Sequence, residues 1–600
     1  MATDTKNKLL AVRNRSFLNK DFNNSRVSLL DYARTYFPDR IQDFSEASLG
    51  GLLLDLAAYV GDVSSFYLDH QFRELDHETA VERANIERLA RNAGVKISGA
   101  APAVADVTFS IRVPASRAGT VFQPRESALP TIGQNSTVIS DSGIVFSLTE
   151  DIDFAERNTI GELIADVEVF SFGTDGTPEE YTLSLVGSCI SGDRSTEGFS
   201  IEDTEVRFRT ITLGNSNVGE ILDVRDAEGN VYYEVEALSQ DTVFRSYENL
   251  SPDNKVVKQK IEIIPAPYRF VRESSNVTGL TTLRFGAGDS RTLDGDVVPD
   301  PSELALPLYG KKVFSKFTID PSRLLNTRTL GVSPRNTTLT VQYRSGGGLD
   351  HNISAQSINS VGAIIANFPG GPSVDDALTV KASVDVQNIA SASGGEDPPS
   401  IEEIRSLIGA SRNLQNRVVT KQDLLARIYT MPASFGRVFR AGIAKNNLNP
   451  LATNLYIASR DNTGGLSVSP DTLKINLRNY LNEFRLVSDA VDILDANIVN
   501  LGVNFEIAVD PNFNSEAVLS RAIDKLIEYL AIENMQIDMT IRTSDIINLI
   551  YNTPGVLSVV NVSFQNIFGK VGERAYPGSV YDVAANTVKG FVIPPEGGIF

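Results

Sequence analysis

The chain has 600 residues, 42% of them apolar, and 55 Lys plus Arg against 75 Asp plus Glu give a formal charge of -20. At roughly 150 residues per domain this length predicts about three to five domains, each able to bury its own core, and the apolar share excludes a disordered chain. No dense Lys/Arg patch interleaves with aromatics, so neither direct nucleic-acid binding nor docking on an anionic membrane is expected.

The first fifteen residues are polar and lack the apolar stretch of a signal peptide. A lone cysteine, Cys189, lies among strand-like residues and reads as a small buried apolar group, so a reducing cytosol is the expected place of synthesis. Helices are predicted over Val27 to Phe37, halted by Pro38, over Ala47 to Glu74, and over Thr79 to Asn92. The last carries Thr79 and Glu82 in capping-box register and Gly94 as a C-terminal cap.

The second of these helices is the most informative. Asp55, Asp62, Asp69 and Asp76 recur every seven residues and fall on one stripe, predicting a single wet line along an apolar cylinder. Leu49, Leu52, Leu56, Tyr59, Val63 and Phe66 form one apolar stripe, and Leu53, Ala57, Val60 and Tyr67 an adjacent one. So wide an apolar arc exceeds what one flank of a surface helix needs and suits a helix packed on two sides, with partners from other chains. Leu49, Leu52, Leu53, Leu56, Tyr59, Val60, Val63, Phe66 and Tyr67 are therefore the candidate inter-subunit residues. Mid-helix Asp55 and Asp62 argue against a membrane span over Leu49 to Leu68.

From Ala100 the texture changes to alternating runs, Asp106 to Val113, Glu205 to Leu213, Val231 to Ala237, Val256 to Ile264 and Leu339 to Tyr343, separated by Gly, Pro, Asn and Ser clusters, which predicts antiparallel strands. The glycine-rich loops 285–289 and 346–348 match no phosphate-binding pattern and read as tight turns. Residues 390–399 read as a linker before Ser400 and Glu403 in capping-box register. Helices then follow at 401–411, 420–430, 470–484, 515–532 and 544–551, with strands at 437–444, 454–459, 498–509 and 556–564. The fold class is multidomain α+β: an N-terminal helical bundle segment (1–100), a β-rich middle (101–390) and C-terminal α+β domains (391–600).

Chemistry is sparse. His70, His77 and His351 are the only histidines; a metal bridge through His70 and His77 is conceivable, yet pairs that bind zinc from one helix sit closer than seven residues. Asp289, Asp294 and Asp296 lack the order of a calcium loop. The absence of Trp weakens a sugar-cleaving reading. No catalytic residue, metal or cofactor is expected.

The segment from Asp43 through Ser48 and Leu52 to Val63, and on to Glu74, resembles the N-terminal helices of the inner-ring baseplate wedge family of T-even-like contractile-tailed phages. Tyr232 to Asp241 and Leu283 to Gly288 look like the β-region of baseplate J-like proteins, with Tyr232 where relatives often carry Trp. Thr329 to Pro334, Val341 to Gly348 and Arg417 to Leu424 are similar again, in the family's order. The resemblance implies a non-enzymatic virion protein of the tail baseplate, assembled in the host cytoplasm. It implies two copies that pair with a second wedge protein through N-terminal helices, C-terminal domains that close a ring, and contacts to sheath-initiator and hub-side proteins. The ring's shape change would release sheath contraction and DNA ejection. A tail-spike or fibre-like binding protein and a cell-wall hydrolase are the alternatives.

Overall fold

The computed structural model describes residues 21–36, 48–95, 97, 99–118, 121–158, 160–248, 259–275, 277–289, 330–411, 417–446, 449, 452–486, 490–571, 574–576 and 578–600. These residues form an α+β structure whose nine described helices are α1 Phe22–Tyr36, α2 Leu49–Arg73, α3 Arg83–Asn92, α4 Val374–Ala382, α5 Ile401–Ser411, α6 Lys421–Tyr429, α7 Asp471–Asn482, α8 Ser515–Tyr529 and α9 Thr543–Tyr551. They divide into two compact units, one holding α1 to α3 together with α5, the other holding the rest.

In the first unit, Ser48 caps α2 by accepting from the Gly51 N–H at 2.9 Å, and α1 packs along α2. The predicted first helix begins five residues earlier than its periodicity suggests, and Phe37 and Pro38 lie outside the described residues. α3 starts at Arg83 rather than Thr79: the Thr79 hydroxyl donates to the Arg73 carbonyl instead of capping, and Glu74 takes the backbone N–H groups of Val81 and Glu82. Burial pulls the Glu74 carboxyl up, but the Asn85 amide, those two N–H groups and His70 outweigh it and hold it below the usual carboxylate range. The end of α3 is as predicted: Gly94 adopts φ 82° and the Val95 N–H reaches back to the Ala90 carbonyl at 2.9 Å. Ile86 and Ala90 of α3 are buried, and α5 packs on this helix, with the Ser411 hydroxyl donating to the Ala93 carbonyl.

In the second unit, β1 Val104–Ala118, β2 Asp166–Phe172 and β3 Pro178–Ser191 belong to an eight-stranded sheet. β1 pairs antiparallel with β3 from Val104 opposite Ile190 to Pro114 opposite Glu180. Alternate residues Val107, Phe109, Ile111 and Val113 point into a core shared with Phe146, Leu183 and Cys189. Cys189 is buried as expected, and burial pushes its thiol up, away from nucleophilic use. A three-stranded antiparallel sheet follows, β4 Asp193–Ile201, β5 Val218–Arg225 and β6 Thr337–Ser345, with β6 in the centre. Of the predicted middle strands, 205–213 is ordered as strand only from Thr210, since Phe208 sits at φ 52°, and 231–237 contributes only Tyr233–Glu234.

The C-terminal part sets β7 Arg440–Lys445, β8 Ala452–Arg460 and β9 Ala490–Asp495 against α6 and α7 over Leu455, Ile457, Leu473 and Leu477. α6 opens with a Thr420–Asp423 capping box. β10 Leu501–Val509 and β11 Val556–Asn566 form a two-stranded antiparallel sheet, with α9 packed on β11 and α8 packed on α9. The segment that reads as a linker is packed instead. Ala392, Ser393 and Glu396 are buried, the Ala101 N–H donates to the Glu396 carbonyl at 2.7 Å, and Glu396 pairs with Arg460 of β8. Glycine and proline content signalled an irregular backbone there, but an irregular backbone can still be threaded through a core.

Candidate assembly interface

Glycine, alanine and aspartate determine which side of α2 is covered. Gly51 and Ala58 are its buried residues, and Leu54, Asp55, Gly61, Asp62, Ser65 and Asp69 are half-buried. On α1 the matching face is Phe22, Ser25, Arg26, Leu29, Leu30, Ala33 and Tyr36, spaced three and four apart. Arg26 Nε lies 2.5 Å from Asp55 Oδ1, and a side chain at Gly61 would meet Ser25. The small residues let α1 approach closely, and the aspartates lie on that same side.

The predicted wet line is therefore reversed. Asp55, Asp62 and Asp69 lie toward the α1 side of α2, and Asp76 lies beyond the helix end at Arg73. The apolar arc is the side left open: Leu49, Leu52, Leu53, Leu56, Tyr59, Val60, Phe66 and Tyr67 are all exposed, Leu56 by 57% and Phe66 by 67%, and Val63 alone among the candidates is half-buried. Leu68, Phe72 and Leu75 extend the open surface, as do Val27 and Tyr32 on α1. Those five escaped the sequence reading, although Leu68 and Phe72, four apart, share one side of the helix.

At 25 residues α2 spans about 37 Å, and its open face carries eight exposed candidates without a charge among them. Large contiguous apolar surfaces exposed on proteins are found at protein–protein and membrane interaction sites. Among the described residues α2 is also the one helix long and apolar enough to cross a membrane. Asp55, paired with Arg26, and Asp62 near its middle set that length against charges costly in hydrocarbon.

The histidines are held in local contacts. His70 stacks on Phe66 with ring centroids 6.3 Å apart, His77 lies off α2 beside Asp76, and His351 Nδ1 is 2.9 Å from the Ser191 hydroxyl. His70 and His77 thus do not share a helix, and among the described residues no three His, Cys, Asp or Glu side chains cluster to hold a metal. Asp294 and Asp296 lie outside the described residues.

Fold and surface together define a multidomain α+β protein with an unsheathed apolar helix at its N-terminal end. The chain matches no protein-family model and no curated protein. Among solved structures it is similar to a chain of the anti-feeding prophage (AFP) baseplate, at 8% identity over 62% of this chain and 72% of that one, with a TM-score of 0.23. It is also similar to a chain of the type VI secretion system TssK-TssF-TssG baseplate subcomplex, at 8% identity over 75% of this chain and 96% of that one, with a TM-score of 0.24. At these values the likeness carries no functional weight.

Proposed function

We propose that this chain is a structural component of a contractile-tail baseplate, of the inner-ring wedge kind. Two copies and a second wedge protein would share a helical bundle built on α2, and the C-terminal region would close a ring around the hub. The observation that carries the reading is the open arc from Leu49 to Tyr67, a helix face with the composition of a bundle core whose large apolar side chains are mostly exposed among the described residues. The ordered resemblance of the N-terminal helix, the middle turns and Arg417 to Leu424 to wedge proteins supplies the baseplate context.

Ring closure draws support from α8. Val518, Ala522 and Leu526 are buried on one side of it, while Leu519, Ile523 and Ile527, also four apart, are open. A sheet of two strands leaves edges that another copy can extend. Rigid-body shifts between such packed faces would transmit the signal for contraction.

The test is Leu56→Asp in the full chain, studied by light scattering and by co-purification with the neighbouring tail proteins. The wild-type chain is expected to associate, and the variant to lose that association while the second unit keeps its thermal transition. Equal association of the two chains overturns the bundle. Flotation of the wild-type chain on neutral lipid vesicles, abolished by the same substitution, would replace the bundle with a bilayer.

A further inference from the structure

Along β6, Leu339, Val341 and Tyr343 point into the core, and the residues between them point outward. Arg344 is one of the outward residues, yet it is only 6% exposed. Its strand register places it directly opposite Arg194 of β4 on one side and Glu220 of β5 on the other. One row across the sheet thus holds two guanidinium groups and a single carboxylate.

That carboxylate is a poor counter-ion. Glu220 Oε2 stays 3.8 Å from Arg344 Nη1, too far for a hydrogen bond, and burial pushes the Glu220 carboxyl up even with Arg344 and Arg272 beside it. Arg344 Nε is buried without a hydrogen-bond partner. Arg272, another cation acting on Glu220, is already engaged, donating to the Gly219 carbonyl at 2.8 Å and pairing with Glu234 at 3.3 Å.

Two like charges directly opposite in a sheet destabilise it, and a buried guanidinium N–H without an acceptor adds to the cost. The local backbone is nonetheless shaped around this side chain. Gly192 sits at φ 122°, and a Cβ there would stand 2.9 Å from Arg344 Cγ, so the stem occupies room that only glycine leaves. An anion with two oxygens would answer both costs, taking one guanidinium on each side.

We propose that Arg194 and Arg344 form a binding site for a small oxyanion, carboxylate or phosphate, on the outward face of the β5–β6–β4 sheet, with Glu220 as its internal competitor. Arg194 is exposed and offers a variant that keeps the fold, Arg194→Gln. Calorimetric titration of the full chain with inorganic phosphate, and separately with acetate, at ionic strength held by chloride, is expected to show one site for at least one of the two. Arg194→Gln should weaken it about ten-fold or more, the loss of one charge-assisted contact. Glu220→Gln should tighten it. Absence of binding by either anion overturns the site, as does unchanged affinity in Arg194→Gln or weaker affinity in Glu220→Gln.

Discussion

His351 stands where the Gly346–Gly348 turn meets Ser191. Its Nδ1 is 2.9 Å from the Ser191 hydroxyl, and the Gly347 N–H points at Nε2 at 3.4 Å, which requires Nε2 to be an acceptor and the ring to be neutral. Burial holds the imidazole below the usual histidine value, against the pull of Asp193 and Asp350. The unfolded chain therefore binds the proton first as pH falls through about 6.5, so this residue's contribution is full above that value and is lost below it. Denaturation midpoints of the wild-type chain should drop between roughly pH 7 and pH 5, and His351→Gln should remove that part of the slope. Glu396 offers a second case: it is paired with Arg460, itself stacked over Phe439 at 4.4 Å, in a place where both side chains are nearly dry. Glu396→Ala leaves that guanidinium without its main partner and should cost about 3–5 kcal/mol in urea unfolding, whereas Glu396→Gln, which keeps an acceptor, should cost less. Little of this is legible in the sequence, because a carboxylate's partner far along the chain leaves no local pattern. The aspartates of α2 show the same limit: spacing places Asp55, Asp62 and Asp69 on one stripe, but only a neighbour decides which way that stripe turns.

Elements with strong local signals are the ones the sequence locates. α5 matches its predicted bounds, and α7, α8, α9 and β11 match to within a few residues, because each carries a clear period and a cap or turn at its ends. α4 went unseen, being nine residues long and weakly patterned despite its Ser373 cap. The middle strands are short and pair with distant partners, so their edges follow packing rather than propensity. Gly286 illustrates this. A Cβ there would lie 2.1 Å from the Gly331 carbonyl carbon, an approach that no pattern in 285–289 discloses. Gly286→Ala should destabilise the unit by about 1–3 kcal/mol, read as a lowered thermal midpoint, and an unchanged midpoint would show that the two backbones can part freely.

Across the whole molecule, chain order and spatial order diverge at one point. α5 follows three hundred residues of β-rich chain yet belongs with α3, so the first unit is discontinuous in sequence. A reading that divides the chain at its linker-like composition cannot anticipate this, since α3, on which the helix bearing Ile404 and Ile408 packs, lies far upstream in the chain. Both residues are fully buried. Ile408→Ala should cost about 2–5 kcal/mol, and hydrogen exchange should show the loss in α3 while β1 and β3 keep their protection. Equal loss in the two would mean that they unfold together.

A helix that tucks its carboxylates inward and shows its leucines outward is adhesive from the moment it leaves the ribosome. Copies made without a mate are expected to clump, and overproduction of this chain by itself should give inclusion bodies that co-expression with the proper companion relieves. Under the proposed bundle, timing and stoichiometry of synthesis become part of the protein's physical chemistry, since the surface that would enable building would also be the one that fouls when building stalls.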